Sequence, residues 1–150
     1  MSPRVKGGDW RREGREAALH MVYAMEINGQ NPRQAELWYW PLHPGASPEA
    51  RDLAQRLLQD TESNAAAIAE IAGRVCPQYP LAGMAPIDRA LLKLGLAELL
   101  GQRDTPPPVI IDESLRLCHT YARPEMKKLL NAVLDAAQRE LRPARPRQNG

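Results

Sequence analysis

The stretch Pro124-Glu-Met-Lys-Lys-Leu-Leu-Asn-Ala-Val-Leu-Asp135 decides the fold class, because its apolar residues recur at the spacing of an amphipathic helix. With about 100° of rotation per residue, Lys128 lies almost opposite Leu130, and Leu129 and Asn131 lie at the two edges of the apolar stripe. The stripe continues past the quoted stretch and consists of Met126, Leu130, Val133, Leu134, Ala137 and Leu141. The segment therefore predicts a helix with one core face and one basic face beside an apolar neighbour, which is a surface suited to a polyanion.

The segments that precede this helix in the second half of the chain are also helical. Ile87 to Gly101 is apolar almost all round, a pattern typical of a central helix that is packed on several sides. Pro106-Pro107-Pro108 then breaks the chain. Helical spacing resumes from Val109 to Tyr121, and Ala122-Arg123-Pro124 predicts the turn into the last helix.

Proline and glycine divide the first half in the same way. An apolar stripe at helical spacing follows Trp10, and Asn28-Gly29 predicts its end. Four prolines follow between residues 30 and 48 and leave space for at most a short helix around Glu36 to Pro41. The aromatic residues of that segment, Trp38 to Trp40, suit either the core or an interface, and we favour the core.

A further helix is expected from Ser47-Pro48, where serine is a good cap and proline suits the first turn. It extends to about Val75, with a bend or break at Thr61 to Asn64, and a linker follows over residues 76–83. The whole pattern predicts an all-α fold of six or seven helices in two halves. We expect one helical domain over residues 11–141, divided at about 11–80 and 84–141, with a flexible arm at 1–10 and a disordered basic tail at 142–150.

The composition excludes several classes of function but does not identify a particular function. The chain has 150 residues, 43% of them hydrophobic, and a net charge of +2, so nucleic-acid binding would require a local basic patch. Cys76 and Cys118 lie outside any metal-ligand spacing and are expected to be buried reduced thiols. No apolar run has the length of a membrane span, and Met1 to Arg15 is too polar for a signal peptide. We therefore expect a cytoplasmic protein without metal or cofactor.

The sequence offers little for catalysis. None of the three histidines, His20, His43 and His119, belongs to a nucleophile or metal motif. The adjacent carboxylates of Asp112 and Glu113 would point about 100° apart on a helix, unlike an acid/base pair that shares one substrate. We therefore predict no catalytic residue and no enzymatic activity.

Glu98 is a carboxylate within the most apolar helix, so it needs a cation or backbone N–H groups as partners. It could be a catalytic acid or a buried anchor between helices. We favour the anchor, because no nucleophile lies near it in the sequence.

The first helix provides a second local pattern. Arg12 and Tyr23 fall within about 20° of each other on the helical wheel, away from the apolar stripe. A cation beside an aromatic ring is a combination that single-stranded RNA sites use, the cation for phosphate and the ring for base stacking. A solvated helix face with a half-buried tyrosine explains the same spacing, and the spacing alone does not decide between these two interpretations.

Four blocks, in order, resemble the NusB family of bacterial transcription antitermination factors. Arg11-Arg12-x-x-Arg15-Glu16-x-Ala18-x-x-x-x-Tyr23 resembles the family's opening, and Ile87 to Leu99 is similar to its fifth helix with an inward glutamate. Pro106-x-x-Val109-x-Ile111-Asp112-Glu113-x-x-x-Leu117 and Lys128-Leu-Leu-Asn131-Ala-Val-Leu-Asp135 resemble two later segments. The resemblance covers about residues 11–141 and is weak at 30–80.

This resemblance implies a fold of two three-helix subdomains and a non-enzymatic role. Members of the family bind the single-stranded boxA element of nascent ribosomal RNA transcripts together with NusE, a small-subunit ribosomal protein. The pair helps to load an antitermination complex on the transcription elongation complex of RNA polymerase. The resemblance further implies that the RNA-binding residues are Arg11, Arg12, Arg15, Tyr23, Glu125, Lys128 and Leu129. It implies partner binding at Asp88 and structural roles for Glu98, Glu113 and Asn131.

Three positions depart from the family pattern. Leu129 stands where the family often has phenylalanine, which removes a stacking platform worth about 1–3 kcal/mol per base. Ala132 replaces a glycine and bears on the approach of two helices, and Asp112 stands in for asparagine. Weak RNA binding without the partner protein is the expected consequence.

Two other functions are compatible with parts of this pattern. Domains of this family also occur ahead of ribosomal RNA cytosine methyltransferases, but such an enzyme needs a large cofactor-binding domain after the module, and the sequence ends at Gly150. A helical scaffold with protein contacts alone is the other alternative. The oligomeric state, monomer or dimer, stays open.

Overall fold

The computed structural model describes residues 9–143. Within them the chain forms seven α-helices and one short 3₁₀ helix, Leu81–Gly83, and no strand. The all-α prediction is therefore confirmed. The helices are α1 (Trp10–Asn28), α2 (Pro32–Leu42), α3 (Pro48–Ser63), α4 (Ala65–Val75), α5 (Pro86–Gly101), α6 (Pro107–Tyr121) and α7 (Pro124–Leu141).

The predicted helix boundaries follow from local chemistry. At the end of α1, Gly29 has φ 67°, and its N–H donates to the Met25 carbonyl. Glycine adopts this left-handed conformation without the steric cost that a Cβ would add. At the start of α3, the Ser47 side chain accepts a hydrogen bond from the Ala50 N–H at 3.1 Å. Both boundaries agree with the predicted stop and start.

Helix α2 is longer than predicted. Asn31 accepts a hydrogen bond from the Gln34 N–H, and the Gln34 side chain accepts one from the Asn31 N–H, each at 2.9 Å. This reciprocal pair satisfies two donors at the helix start, where Pro32 costs nothing because its position needs no N–H. Pro41 lies in the last turn and does not stop the helix earlier. The prediction of a short helix at Glu36 to Pro41 was wrong because it overlooked this cap.

The helix predicted from Pro48 to Val75 is broken at Asn64, which ends α3 and precedes α4. The Asn64 N–H and side-chain amide both donate to the Asp60 carbonyl, at 3.0 and 2.9 Å. The first half therefore contains four helices, and α5, α6 and α7 form the second.

Helix α5 lies at the centre of the molecule, as its composition predicts. It packs against α1 and α3 on one side and against α6 and α7 on the other. Nearly every side chain between Ala90 and Leu99 is buried. Cys76 and Cys118 are also buried and unpaired, as expected. The core is continuous between the two halves.

Arg142 corrects the predicted boundary of the basic tail. Its guanidinium donates to the carbonyls of Leu99 at 3.0 Å and Gln102 at 2.6 Å, and also to the Thr105 carbonyl. Carbonyls at the end of a helix lack partners in the helix itself, so Arg142 ties the chain after α7 to the end of α5. The remaining residues of the predicted tail, and residues 1–8 of the predicted arm, lie outside the described range.

None of the helices between residues 9 and 143 has the length and apolar character needed to cross a bilayer.

Candidate nucleic-acid interface

The first turn of α1 presents a basic patch, which we define as Arg11 and Arg12. Both side chains are exposed. The Arg11 guanidinium lies 4.3 Å from the centre of the Trp10 ring, within the range of a cation–π contact. The Arg12 Nε lies 3.3 Å from the Glu113 Oε1 on α6, with 44% of the Arg12 side chain still exposed. Two cations are therefore available to solvent at this end of α1.

Arg15 does not belong to this patch, which corrects its predicted role in phosphate binding. Its Nη2 lies 2.7 Å from the Glu98 Oε1, and the two side chains are only 5% and 2% exposed. A phosphate cannot reach a guanidinium in that position. Burial raises the pKa of Glu98, and the hydrogen bond and charge of Arg15 offset part of that rise. Arg15 and Glu98 together form a buried ion pair that joins α1 to α5.

Tyr23 lies at the other end of α1. It is eleven residues beyond Arg12, which corresponds to about 16 Å along the helix axis. The residue is 38% exposed and lines a groove of about 860 Å³ between α1, α2, α5 and α6. We call this the aromatic groove; it is lined by Leu19, His20, Tyr23, Ala24, Ile27, Asn28, Gln30, Trp38, Ile87 and Tyr121.

Tyr121 is a residue of this groove that the sequence did not reveal. Its hydroxyl donates to the Glu16 Oε1 at 2.5 Å and lies 2.9 Å from the His20 Nε2. Burial lowers the pKa of His20, against the opposing charge of Glu16. These contacts fix α6 against α1. The only signal in the sequence was an aromatic residue in the last turn of a helix, which does not reveal a partner one hundred residues earlier.

Trp38 also lines the groove, whereas Trp40 is buried. The Trp38 indole N–H donates to the Gln30 side chain at 3.0 Å. The segment thus contributes to the core, as we favoured, and also to the wall of the groove.

The start of α7 provides a second basic surface. Glu125, Lys127 and Lys128 are exposed, and Leu129 is half-buried beside them. Neither lysine forms an ion pair with a residue between 9 and 143. The helix begins three residues after Tyr121, so this surface adjoins the end of α6.

Asn131 and Ala132 do not have the roles that were expected of them. Both side chains are exposed, so Asn131 does not tie a neighbouring backbone and Ala132 does not lie where two helices approach. The close approach on α7 occurs at Leu134 instead. A Cβ added to Gly95 of α5 would lie only 2.9 Å from the Leu134 Cδ2.

Asp88 is half-buried in the first turn of α5. The next residue, Arg89, donates to the Glu26 Oε2 of α1 at 2.6 Å and to the Met84 carbonyl at 3.0 Å. Lys93 also donates to Glu26, at 2.5 Å. Burial raises the pKa of Glu26, but the two cations together outweigh it and leave the pKa below its ordinary value. This cluster, which the sequence did not predict, fixes the start of α5 beside α1.

The basic patch and the aromatic groove lie at opposite ends of the contact between α1 and α6. Arg12 meets Glu113 in the middle of α6, and Glu16 meets Tyr121 at its end. The eight residues between these two contacts extend about 12 Å along α6. The exposed cations and rings therefore follow a long surface, a shape that suits an extended strand better than a compact ligand.

Comparison with known proteins assigns the chain to a family. The family model described as "NusB family" matches residues 12–139. The transcription antitermination protein NusB of Sorangium cellulosum is 34% identical over 83% of this chain and 89% of the relative. That of Koribacter versatilis is 32% identical over 87% of this chain and 90% of the relative.

A solved structure titled as the antitermination factors NusB and NusE in complex with double-stranded RNA has the same fold. Its matching chain has a TM-score of 0.80 at 21% identity, over 89% of this chain and 98% of that chain. The family model covers most of the sequence, and the fold agrees with it throughout. The chain therefore belongs to the NusB family.

Proposed function

We propose that this chain is a transcription antitermination factor that binds boxA of nascent ribosomal RNA transcripts together with NusE. The observation that supports it most is the pair of exposed basic surfaces, on α1 and α7, in a chain whose family match covers residues 12–139. Relatives at 32–34% identity are named as antitermination proteins, and a protein of the same fold is titled in complex with NusE and RNA.

The proposed RNA-binding residues are Arg11, Arg12, Tyr23, Glu125, Lys128 and Leu129. Arg11, Arg12 and Lys128 are exposed cations for phosphates, and Leu129 offers apolar contact without a ring. Arg15 is left out because its guanidinium is buried against Glu98. No role in the proposal requires a catalytic residue, and we propose a non-enzymatic function.

The proposed site for the partner protein combines Asp88 with the adjoining wall of the aromatic groove. Ile87 lines the groove one residue before Asp88, so an apolar surface and a carboxylate lie side by side. A partner surface with an apolar side chain next to a cation would satisfy both. The hydrogen bond from Arg89 to Glu26 holds the start of α5 against α1.

The test is a titration of boxA-containing RNA and a scrambled control RNA, with and without NusE. We expect preference for boxA, and tighter binding when NusE is present. If neither the chain nor its mixture with NusE prefers boxA, the proposed function is wrong. Crosslinking of RNA to Tyr23 separates an RNA-binding factor from a scaffold with protein contacts alone.

Three variants make this test specific to the two proposed surfaces. Lys128→Ala should weaken binding to all RNA sequences about equally and reduce the salt slope by about 0.7 per lost phosphate contact. Arg139→Ala removes one positive charge near the other end of the same helix and should change neither quantity. Asp88→Lys should leave binding of RNA alone intact and abolish the gain from NusE.

A further inference from the structure

Trp10 is the first residue of α1, and its ring holds the Arg11 guanidinium at 4.3 Å. Trp10 packs against the hydrophobic core and is half-buried. Arg11 itself is exposed. The two residues form a layered pair at the solvent edge of the basic patch.

Arg11 differs from the two arginines that follow it. Arg12 is paired with Glu113 and Arg15 with Glu98, whereas Arg11 has no ion pair or hydrogen bond from its side chain to a residue between 9 and 143. No carboxylate in the described part of the chain therefore neutralises its charge. The ring fixes the guanidinium without occupying its N–H donors.

A guanidinium held over an aromatic ring has two free recognition elements. Its N–H groups point outward in the guanidinium plane and fit phosphate oxygens, and its outer face is a flat surface on which a nucleobase can stack. Leu129 of α7 has no π face. Tyr23, the other exposed ring on α1, lies thirteen residues away, or about 20 Å along the axis.

We propose that Trp10 and Arg11 form a stacking platform for one nucleobase of bound single-stranded RNA, with Arg11 also contacting the neighbouring phosphate. The proposal rests on the proposed function and adds Trp10 to the same interface as the residue that holds Arg11 in place. It also explains where a chain with leucine at position 129 obtains a flat surface on which a base can stack. The favoured ligand is single-stranded, because bases in a duplex do not expose their faces.

The test compares RNA affinities of Trp10→Leu, Trp10→Phe, Arg11→Lys and Arg11→Ala with that of the unaltered chain. Trp10→Leu keeps apolar bulk but removes the ring, and should weaken binding about 5- to 100-fold with an unchanged salt slope. Trp10→Phe should retain most of the affinity. Arg11→Lys should weaken binding without changing the slope, and Arg11→Ala should reduce both affinity and slope.

Intrinsic fluorescence gives a readout that a purely structural role would not affect. RNA should quench the emission of the unaltered chain, and Trp10→Phe should remove the part of that quenching that comes from Trp10. Trp40 is buried, and Trp38 lines the groove beside Tyr23, so only Trp38 should contribute the remainder. The melting temperature of each variant is measured in parallel. A lower melting temperature with unchanged RNA affinity and equal quenching would show that Trp10 serves the fold alone.

The outcomes separate this proposal from the proposed function. Binding of single-stranded RNA without preference for boxA contradicts the proposed function only, since stacking tolerates any base. Preference for boxA together with an RNA affinity that is unchanged in Trp10→Leu contradicts the platform only. Loss of partner-protein binding with unchanged RNA affinity would assign Trp10 to a protein contact and overturn the platform as well.

Discussion

Arg12 and Arg15 are one helical turn apart on α1, yet their surroundings differ completely. Nearly half of the Arg12 side chain is exposed to water, whereas that of Arg15 is almost fully buried beside Glu98. A buried ion pair adds little net stability when intact, but the loss of one partner leaves an uncompensated charge in the core. The pair is therefore more important for the placement of α1 on α5 than for the total stability.

Arg15→Ala should reduce the free energy of unfolding by about 3–5 kcal/mol, because Glu98 would stay buried without its cation. Urea denaturation measures this effect. The double variant Arg15→Met with Glu98→Leu replaces both charges by apolar groups and should recover most of the loss. A change below about 1 kcal/mol in the single variant would contradict the pairing.

Asn131→Ala should increase stability slightly, by about 0.5 kcal/mol, because alanine is the better helix former at an exposed position. A structural anchor would instead lose stability on this change. Leu130→Ala, at the fully buried neighbouring position, should cost about 2–5 kcal/mol in the same thermal or urea unfolding experiment. A destabilised Asn131→Ala would restore the anchor role.

Glu98 and Asn131 show which features of these residues could be predicted from the sequence. The helical periodicity predicted that Glu98 lies inside the most apolar helix and needs a cation or backbone N–H groups as partners. It could not identify Arg15 as that cation, because Arg15 lies 83 residues earlier and helical spacing contains no information on distant pairs. Asn131 lies at the edge of the apolar stripe, where the periodicity does not decide between a buried and an exposed side chain. The packing of the helices leaves it exposed.

At the scale of elements, Gly14 sets how closely α1 and α3 approach. A Cβ at this position would lie 2.9 Å from the Ala50 carbonyl oxygen and 3.1 Å from Leu53. A backbone oxygen cannot move aside as the end of a flexible side chain can. Gly73 on α4, by contrast, is exposed and has no atom within 4 Å of such a Cβ.

Gly14→Ala should therefore destabilise the protein by about 1–2 kcal/mol, since overpacking outweighs the better helix propensity of alanine. Gly73→Ala is the matched control and should stabilise it by up to about 1 kcal/mol. Thermal unfolding of both variants gives the comparison. Equal shifts in the two variants would exclude a close approach at Gly14.

Most elements were predictable, for reasons that are local. Ser47-Pro48 and Asn28-Gly29 are signals contained in two neighbouring residues, and the structure has helix boundaries at both. Helix α2 was predicted too short, because its cap requires the joint action of Asn31 and Gln34 among residues that otherwise indicate loops. The aromatic groove was not predictable, since four separate elements build it.

At the scale of the whole molecule, polar contacts connect the two halves at several places. Glu26 of α1 meets Arg89 and Lys93 of α5, and Arg74 of α4 meets Glu140 of α7 at 2.6 Å. The Arg74 pair is half-exposed and is expected to contribute little. The cluster of Glu26, Arg89 and Lys93 is mostly shielded from solvent. It lies beside Asp88 and the aromatic groove, and it joins α1 of the first half to α5 of the second half at that place.

The depressed pKa of Glu26 predicts a pH dependence with a definite sign. A carboxylate whose pKa is lower in the folded state contributes stability above its ordinary pKa and loses it as pH falls through the folded value. The difference in unfolding free energy between the unaltered chain and Glu26→Gln should therefore be largest near neutral pH and shrink as the pH falls below the ordinary pKa of a glutamate.

Urea unfolding at several pH values measures that difference. Glu70→Gln, in an exposed pair with Arg74, is the control and should differ little from the unaltered chain at any pH. A difference for Glu26→Gln that stays constant with pH would show that its charge does not stabilise the contact between the halves.

The buried pair of Arg15 and Glu98 also affects the order in which the protein assembles during synthesis. Helix α1 leaves the ribosome before α5, but its inward guanidinium has no counter-charge until residue 98 has been translated. Docking α1 before then would bury an unpaired cation at a cost of several kcal/mol. The helix with the basic patch is thus expected to take its final place only after α5 has been made, so nascent chains that end before α5 should not present the folded surface.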